Sequence, residues 1–328
     1  MIVCHSRGMT SAKVWTTGAW RQLAEAWVDE RLADRGMRRV GELTQPRVRP
    51  WGTVLTAMTS DGVVWLKAPG PATAFEVRLY SVLSEFVPEW VLAPIAIDVD
   101  RGWLLLPDGG TTVRESAPDP TAAMLEILPR YGELQRKLAA HVDSLLTAGV
   151  TDMRAGVTAE RFDQAVEAVR GRPHDTAAVA AIIARRAELV ERADWLARAS
   201  VTPSLDHNDL HPGNVFVTGG RPVFYDWGDS VVAHPFASML VAAWVMRDSY
   251  GADDRTVTRL RDSYLEAFSD LAPHRELVEQ LDTACWVALV ARTLVWERAL
   301  GTMDDPGEWA TAPMHTLSGL TAGHWLKV

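Results

Sequence analysis

The sequence predicts an α+β protein in two lobes, a small β-rich lobe first and a larger, mostly helical lobe after it. Three observations carry that expectation. Paired β-rich runs around tight-turn residues are concentrated before residue 107, long stretches of helical apolar periodicity follow, and Pro107-Asp108-Gly109-Gly110 reads as a linker between the two regimes. The expected division is 1–107 and 108–328. At 328 residues with 48% hydrophobic content the chain can build substantial cores, which excludes disorder as the main state.

In chain order, Trp20, Leu23, Trp27 and Leu32 fall near helical spacing and predict a leading helix over 19–35, with Gly36 as its stop. Residues 54–58 and 63–66 flank Ser60-Asp61-Gly62, a hairpin signal because Asp-Gly tolerates the positive φ that such turns need. Lys67 ends the second of these strands. After Pro69-Gly70-Pro71 a helix is expected over 72–86, with Phe75, Leu79 and Leu83 on one face and Pro88 beyond its end. Two further strands are expected at 95–98 and 103–106 around Asp100-Arg101-Gly102. Helices are then expected over 121–148, 158–169, 175–199, 236–248, 256–271 and 275–300. They are interrupted by one β-rich island at 214–226, where Gly219-Gly220 separates Val215-Phe216-Val217 from Val223-Phe224-Tyr225.

Composition narrows the function classes. A net charge of -9 lacks the basic footprint of a nucleic-acid binder, so no nucleic-acid partner is expected. The longest wholly apolar run, 239–246, is far short of the ~20 residues of a membrane-spanning helix, and His5, Arg7 and Lys13 do not make a secretory leader. Cys4 and Cys285 are the only cysteines, too few for a disulfide framework or a structural zinc site, which fits a reducing cytoplasm. Of 33 basic residues only Lys13, Lys67, Lys137 and Lys327 are lysines, so a lysine inside a strand invites a functional explanation.

The stretch richest in chemistry is His207-Asn208-Asp209-Leu210-His211-Pro212-Gly213-Asn214, followed across the hairpin by Tyr225-Asp226-Trp227-Gly228-Asp229. A single Asp in a turn is usually only a turn former. Here, however, two acids and an Asn are returned by a hairpin toward one space. Phosphoryl transfer asks for that grouping: a carboxylate to orient or deprotonate a hydroxyl, and hard oxygen ligands for Mg²⁺ against the β- and γ-phosphates.

The loop fits H-x-D-x-x-x-x-N at His207, Asp209 and Asn214, and the fuller string resembles the aminoglycoside phosphotransferase and choline kinase family, relatives of the protein kinases. The resemblance implies a two-lobed protein-kinase-like fold and transfer of the γ-phosphate of ATP, with Mg²⁺, to the hydroxyl of a small molecule. Residue by residue, it implies that Asp209 is the catalytic base or orienter, that Asn214 and Asp226 are metal ligands, and that His207 braces the loop. Lys67 and Glu76, the latter in Glu76-Val77-Arg78-Leu79-Tyr80, would position the α- and β-phosphates, with Glu85 the competing partner on the same helix. Leu106 and Asp108 would flank the adenine. Asp229 is a candidate for a second metal or a cationic substrate group. Two departures stand out: there is no Gly-rich phosphate loop, only Gly52 between Trp51 and Thr53, and Ser238 stands where relatives carry an Asp after the metal-binding Asp.

Other readings are weaker. His207 and His211 are four apart as in some zinc hydrolases, but Pro212 and Gly213 break the helix that such a pair needs. No G-x-x-x-x-G-K-[ST] occurs, nor a G-x-G-x-x-G between strand and helix. A kinase-like module that binds nucleotide or a partner without turnover remains the main alternative, against which stands the joint presence of Lys67, Asp209, Asn214 and Asp226. For the acceptor, Trp286, Trp296 and Trp309 could stack on a sugar ring or belong to the core, and Asp304 and Asp305 near Trp309 point toward an aminated substrate such as an aminosugar.

Overall fold

A computed structural model describes residues 11–323 and 325, so Cys4, His5, Arg7 and Lys327 lie outside the described residues. The first part of the chain builds a five-stranded antiparallel sheet in the order β1-β2-β3-β5-β4, from β1 (Thr44–Arg49), β2 (Gly52–Thr59), β3 (Gly62–Pro69), β4 (Ala96–Asp98) and β5 (Trp103–Pro107). The β2–β3 hairpin pairs Thr59 with Gly62 across the turn, where Gly62 has φ +118°, the freedom the Asp-Gly signal demanded. Strand β1 has no counterpart in the sequence reading. Its register slips between Thr44 and Arg47, at Pro46, and a proline that cannot donate to a ladder is tolerated on such an edge.

Each face of this sheet is covered by one of the two expected helices. The Gly18–Ala33 helix, capped by the Thr17 side chain accepting from Trp20 N, lays Ala24, Trp27, Val28 and Leu32 against Leu55, Leu66 and Leu105. The Phe75–Phe86 helix lays Val77, Tyr80 and Leu83 into a second core shared with Leu104 and Leu106. That core runs on into the helical part, so the Phe75–Phe86 helix is anchored to both. A Cβ on Gly109 would come within 2.4 Å of the Phe216 ring, which fixes the linker against the second lobe's hairpin.

The rest is mostly helical, packed around the long His274–Leu300 helix. The expected helix over 121–148 breaks into Pro120–Leu138, a 3₁₀ turn and Val142–Thr147, the break lying where His141 stacks on Phe86 at 3.6 Å. The one over 175–199 divides into Thr176–Ile183 and Arg186–Ala197. Neither break contains Gly or Pro, so the apolar periodicity runs through both without a signal. Conversely, Pro129 does not end its helix. It cannot donate to Leu125 O four residues back, and Ser263 Oγ donates to that carbonyl instead.

Two small sheets position the chemistry. Strands β6 (Thr151–Asp152), β7 (Ser204–Asp206) and β10 (Val231–Ala233) form one in the order β6-β10-β7, and β8 (Val215–Thr218) with β9 (Arg221–Phe224) form the expected hairpin. Among the described residues no helix is long and apolar enough to cross a membrane.

Candidate active site

Lys67 lies inside β3, opposite Val54 on β2, and its side chain reaches under the sheet. Its Nζ donates to Glu76 Oε1 at 2.6 Å and to Asp226 Oδ1 at 2.7 Å, tying a strand, a helix and the β9 return together. Glu76 is only 2% exposed, and its Oε1 also accepts from Trp227 N at 3.0 Å. Glu85, the competing acid, is exposed. Burial pulls the Lys67 ammonium pKa down, but the carboxylates of Asp226 and Glu76 outweigh it and leave the pKa above its usual range. Beside that ammonium the Asp226 carboxyl falls below its usual range, so the pair stays charged.

The loop between β7 and β8 brings Asp209 and Asn214 to the same place. Asn214 Nδ2 donates to Asp209 O at 2.9 Å and to Asp209 Oδ2 at 3.1 Å, which commits the amide nitrogen and leaves the amide oxygen as the free ligand atom. Gly213 N donates to His211 Nδ1 at 2.9 Å, so the neutral ring carries its proton on Nε2, 3.5 Å from Asp209 Oδ2. A Cβ on Gly213 would sit 2.8 Å from that ring, a close approach only glycine permits. Burial pushes the Asp209 carboxyl up. The His211 and Arg292 side chains more than reverse this and hold it well below the usual carboxylate range.

His207 lies beneath this group, its Nε2 paired with Tyr225 O at 3.0 Å and its ring against Trp227 at 4.6 Å. Burial keeps it neutral. Since His207 and His211 are each committed to backbone groups, they do not form the zinc pair weighed from their spacing. Among the described residues no group of three His, Cys, Asp or Glu side chains is placed to hold a metal. Two backbone positions are unusual: among the described residues, Asn208 (φ 59°) and Asp226 (φ 64°) are the non-glycine residues in the left-handed region. Each costs of order 1 kcal/mol, least for Asn and Asp, and both flank the clustered side chains.

Lys67, Glu76, Asp209, Asp226 and Asp229 line one cleft of about 720 Å³ between the two lobes. Leu106 and Asp108 are not among its lining residues. Asp108 N donates to Val63 O at 3.0 Å, and its carboxylate accepts from Trp65 Nε1 at 2.7 Å and Gly110 N at 3.2 Å.

Residues 58–278, more than half of the chain, match the model of the phosphotransferase enzyme family, APH. The chain belongs to that family. Its structure is similar to ethanolamine kinase from Plasmodium vivax (TM-score 0.63, 12% identity, 94% of this chain and 89% of that one). It is also similar to a macrolide 2'-phosphotransferase type I (0.56, 18%, 92% and 97%) and to APH(2")-IIIa in its complex with GDP and kanamycin (0.55, 14%, 92% and 98%). At these identities the likeness is one of fold, and that fold is protein-kinase-like. No curated protein matches the sequence.

Several features of this family member were not legible in its motifs. Ser238, where the family resemblance led to an expected Asp, is bonded to Asp206 of β7. Ser238 Oγ donates to Asp206 Oδ1 at 2.6 Å, and the same oxygen accepts from Asn208 N at 2.8 Å. Tyr131 OH, 3.0 Å from Ser238 Oγ, accepts from His207 N at 3.0 Å, while Gln135 Nε2 donates to Ser238 Oγ at 3.1 Å and to Leu205 O at 2.8 Å. Asp206 is 1% exposed, and burial pushes its carboxyl up to about 6. On the opposite wall Arg292 donates to Asn208 O at 2.8 Å and Asp229 Oδ2 at 3.0 Å, and approaches Asp209 Oδ1 at 3.5 Å. Burial pushes Asp229 up to about 6 despite that guanidinium. The sequence did carry one hint of Arg292: it is the lone charge in the run Cys285–Trp296.

Proposed function

We propose that the chain is an ATP-dependent phosphotransferase that moves the γ-phosphate to a hydroxyl group of a small molecule. The observation that carries this is the double pairing of Lys67 with Glu76 and Asp226 over the Asp209–Asn214 loop. A lysine held between two acids above a third is arranged to receive a polyphosphate. On this reading residues 1–107 form the nucleotide-binding lobe and 108–328 the lobe with the catalytic loop and acceptor site, working in the cytoplasm.

Asp226 and Asn214 would hold Mg²⁺, whose charge offsets that of the β- and γ-phosphates when it is bound. They suit it: the Asp226 carboxylate is 45% exposed and the Asn214 amide oxygen is uncommitted, both hard oxygen donors. A site of one carboxylate and one amide, completed by phosphate oxygens, is what Mg²⁺ commonly takes. Lys67, oriented by Glu76, contacts the α- and β-phosphates. No glycine-rich loop covers the triphosphate, and Pro50 removes an amide from the β1–β2 turn, where Trp51 O is tied to Gly70 N at 2.7 Å. Arg47 and Arg49, on one face of β1 and lining the cleft, supply charge in its stead; among the described residues their guanidinium groups have no hydrogen-bond or ion-pair partner. Only the family resemblance points to the Leu106–Asp108 linker for adenine, since neither residue is among those lining the cleft. Asp108 N is already bound to Val63 O and is not free for that contact.

In the transfer step the acceptor oxygen bonds to the γ-phosphorus while the bond from that phosphorus to the β,γ-bridging oxygen breaks. The bridging oxygen keeps the electron pair and leaves as part of ADP. The hydroxyl proton passes to Asp209. Because Asp209 is held below the usual carboxylate range, it works chiefly by orienting the hydroxyl and accepts the proton late, as a loose transition state permits. His207 and the Asp206–Ser238 pair keep the loop in place. The test is a screen of sugars, aminosugars, amino alcohols, hydroxy amino acids and aminoglycosides read by ADP release: sustained acceptor-dependent ADP formation is expected. Stabilisation by Mg-ATP with no turnover across the panel would instead make this a binding module.

A further inference from the structure

We infer that the acceptor is a neutral, ring-bearing alcohol, such as a glycoside or cyclic polyol, docked on an aromatic wall, and not a polyamine; this rests on the kinase reading above. The wall leads away from Asp209 as a run of flat groups. The Arg292 guanidinium lies 5.1 Å from the Trp296 ring, and Trp296 stacks on Trp309 at 5.6 Å with only 17° between the planes. Trp309 is 50% exposed and Trp51, in the β1–β2 turn, 39% exposed; both line the same cleft, as do Val295, Ala299 and Pro306. Trp286 is different: it is 6% exposed, with its Nε1 donating to Leu320 O, and belongs to the core.

The charges on this side argue against a polycation. An ammonium group is recognised by a carboxylate free to meet it. Asp229 is held between Arg292 at 3.0 Å and Arg298 at 3.9 Å, and Asp209 faces Arg292 and His211. Asp304, which the sequence suggested for an aminated substrate, lies outside the cleft lining and pairs with Lys13 at 3.6 Å. Asp305 does line the cleft, one oxygen accepting from Gly307 N at 2.9 Å and the other free, a single such carboxylate against the Arg47, Arg49, Arg292 and Arg298 guanidinium groups that line it too. Arg298 donates to Gly228 O at 2.9 Å through one nitrogen only, so a polycationic acceptor would meet more donors than acceptors. What remains for recognition is mainly apolar ring area, and indole faces bind the C–H faces of rings without charge.

The experiment uses the whole chain. Mg-ATP binding is measured first by calorimetry, then ADP release with phenyl β-glucoside and inositol against kanamycin. The expected result is turnover with a neutral probe at a kcat/KM at least tenfold above that for kanamycin. Trp309→Ala should lower the neutral-probe kcat/KM about tenfold with the ATP KM unchanged within twofold, and Trp309→Phe should recover most of the loss. A preference for kanamycin, or an Ala variant that matches the parent, overturns the assignment. Mg-ATP binding with no response to either neutral probe overturns it while leaving the kinase reading intact; absence of Mg-ATP binding overturns both.

Discussion

Asp206 gives the most quantitative prediction. Its carboxyl moves from an ordinary 3.8 up to about 6 because burial disfavours the charge more than Ser238 and Asn208 N favour it. At about 1.4 kcal/mol per pH unit, ionising it in the folded protein costs about 3 kcal/mol of stability. The sign follows from a raised folded-state pKa: the favourable contribution is complete below pH 3.8 and is lost as pH rises through about 6. Asp206→Asn stays uncharged at every pH, and its side-chain oxygen can still accept from Ser238 Oγ and Asn208 N, so its stability lacks this component. Urea unfolding of both proteins from pH 4 to 7.5 should show the variant gaining about 2.5 kcal/mol on the parent across the window, on top of a constant offset from its new amide N–H. A difference that is flat with pH, or that moves the other way, would refute the placement of a buried, shifted carboxyl at the base of the Asp209–Asn214 loop.

Asp209→Ala should lower kcat by about 10²–10⁴ with ATP affinity changed only a few-fold, since the proposed proton acceptor is lost but the proposed metal ligands remain; single-turnover phosphate transfer separates the two. Lys67→Met strands Glu76 as a buried carboxylate and should lower unfolding stability by about 2–4 kcal/mol, with Glu76→Gln in the same chain restoring part of it in a denaturation series. Replacing Arg47 and Arg49 together by Ala should raise the KM for ATP roughly tenfold, with a weakened salt dependence and an unchanged acceptor KM in steady-state kinetics.

What the sequence disclosed, and what it withheld, follows from how far each feature reaches along the chain. The His207–Asn214 loop, the hairpin to Asp226 and the β2–β3 hairpin are local: turn residues, spacing and strand runs sit next to one another. Glu76 was found because helix phase fixes which side chain faces the preceding strand. Strand β1 was missed because Pro46 and its arginines lack β propensity, and an edge strand is held by its neighbour rather than by itself. Arg292 and the network of Tyr131, Gln135, Asp206 and Ser238 join residues up to 107 positions apart, a separation that no local pattern encodes. The departure at Ser238 was visible, but the acid it bonds to stands on β7, 32 residues earlier. Charge pairing decided the meaning of Asp304, and pairing is a tertiary property.

The left-handed backbone at Asn208 and Asp226 has a consequence for how sequence variation here should be read. At position 208 a survey of tolerated substitutions would return asparagine, aspartate and glycine for conformational reasons alone, whatever the side chain contributes to chemistry. Asp226 is filtered twice, by torsion and by its bond to Lys67, so glycine there would satisfy the chain and silence the pocket, giving a well-folded protein without a working centre.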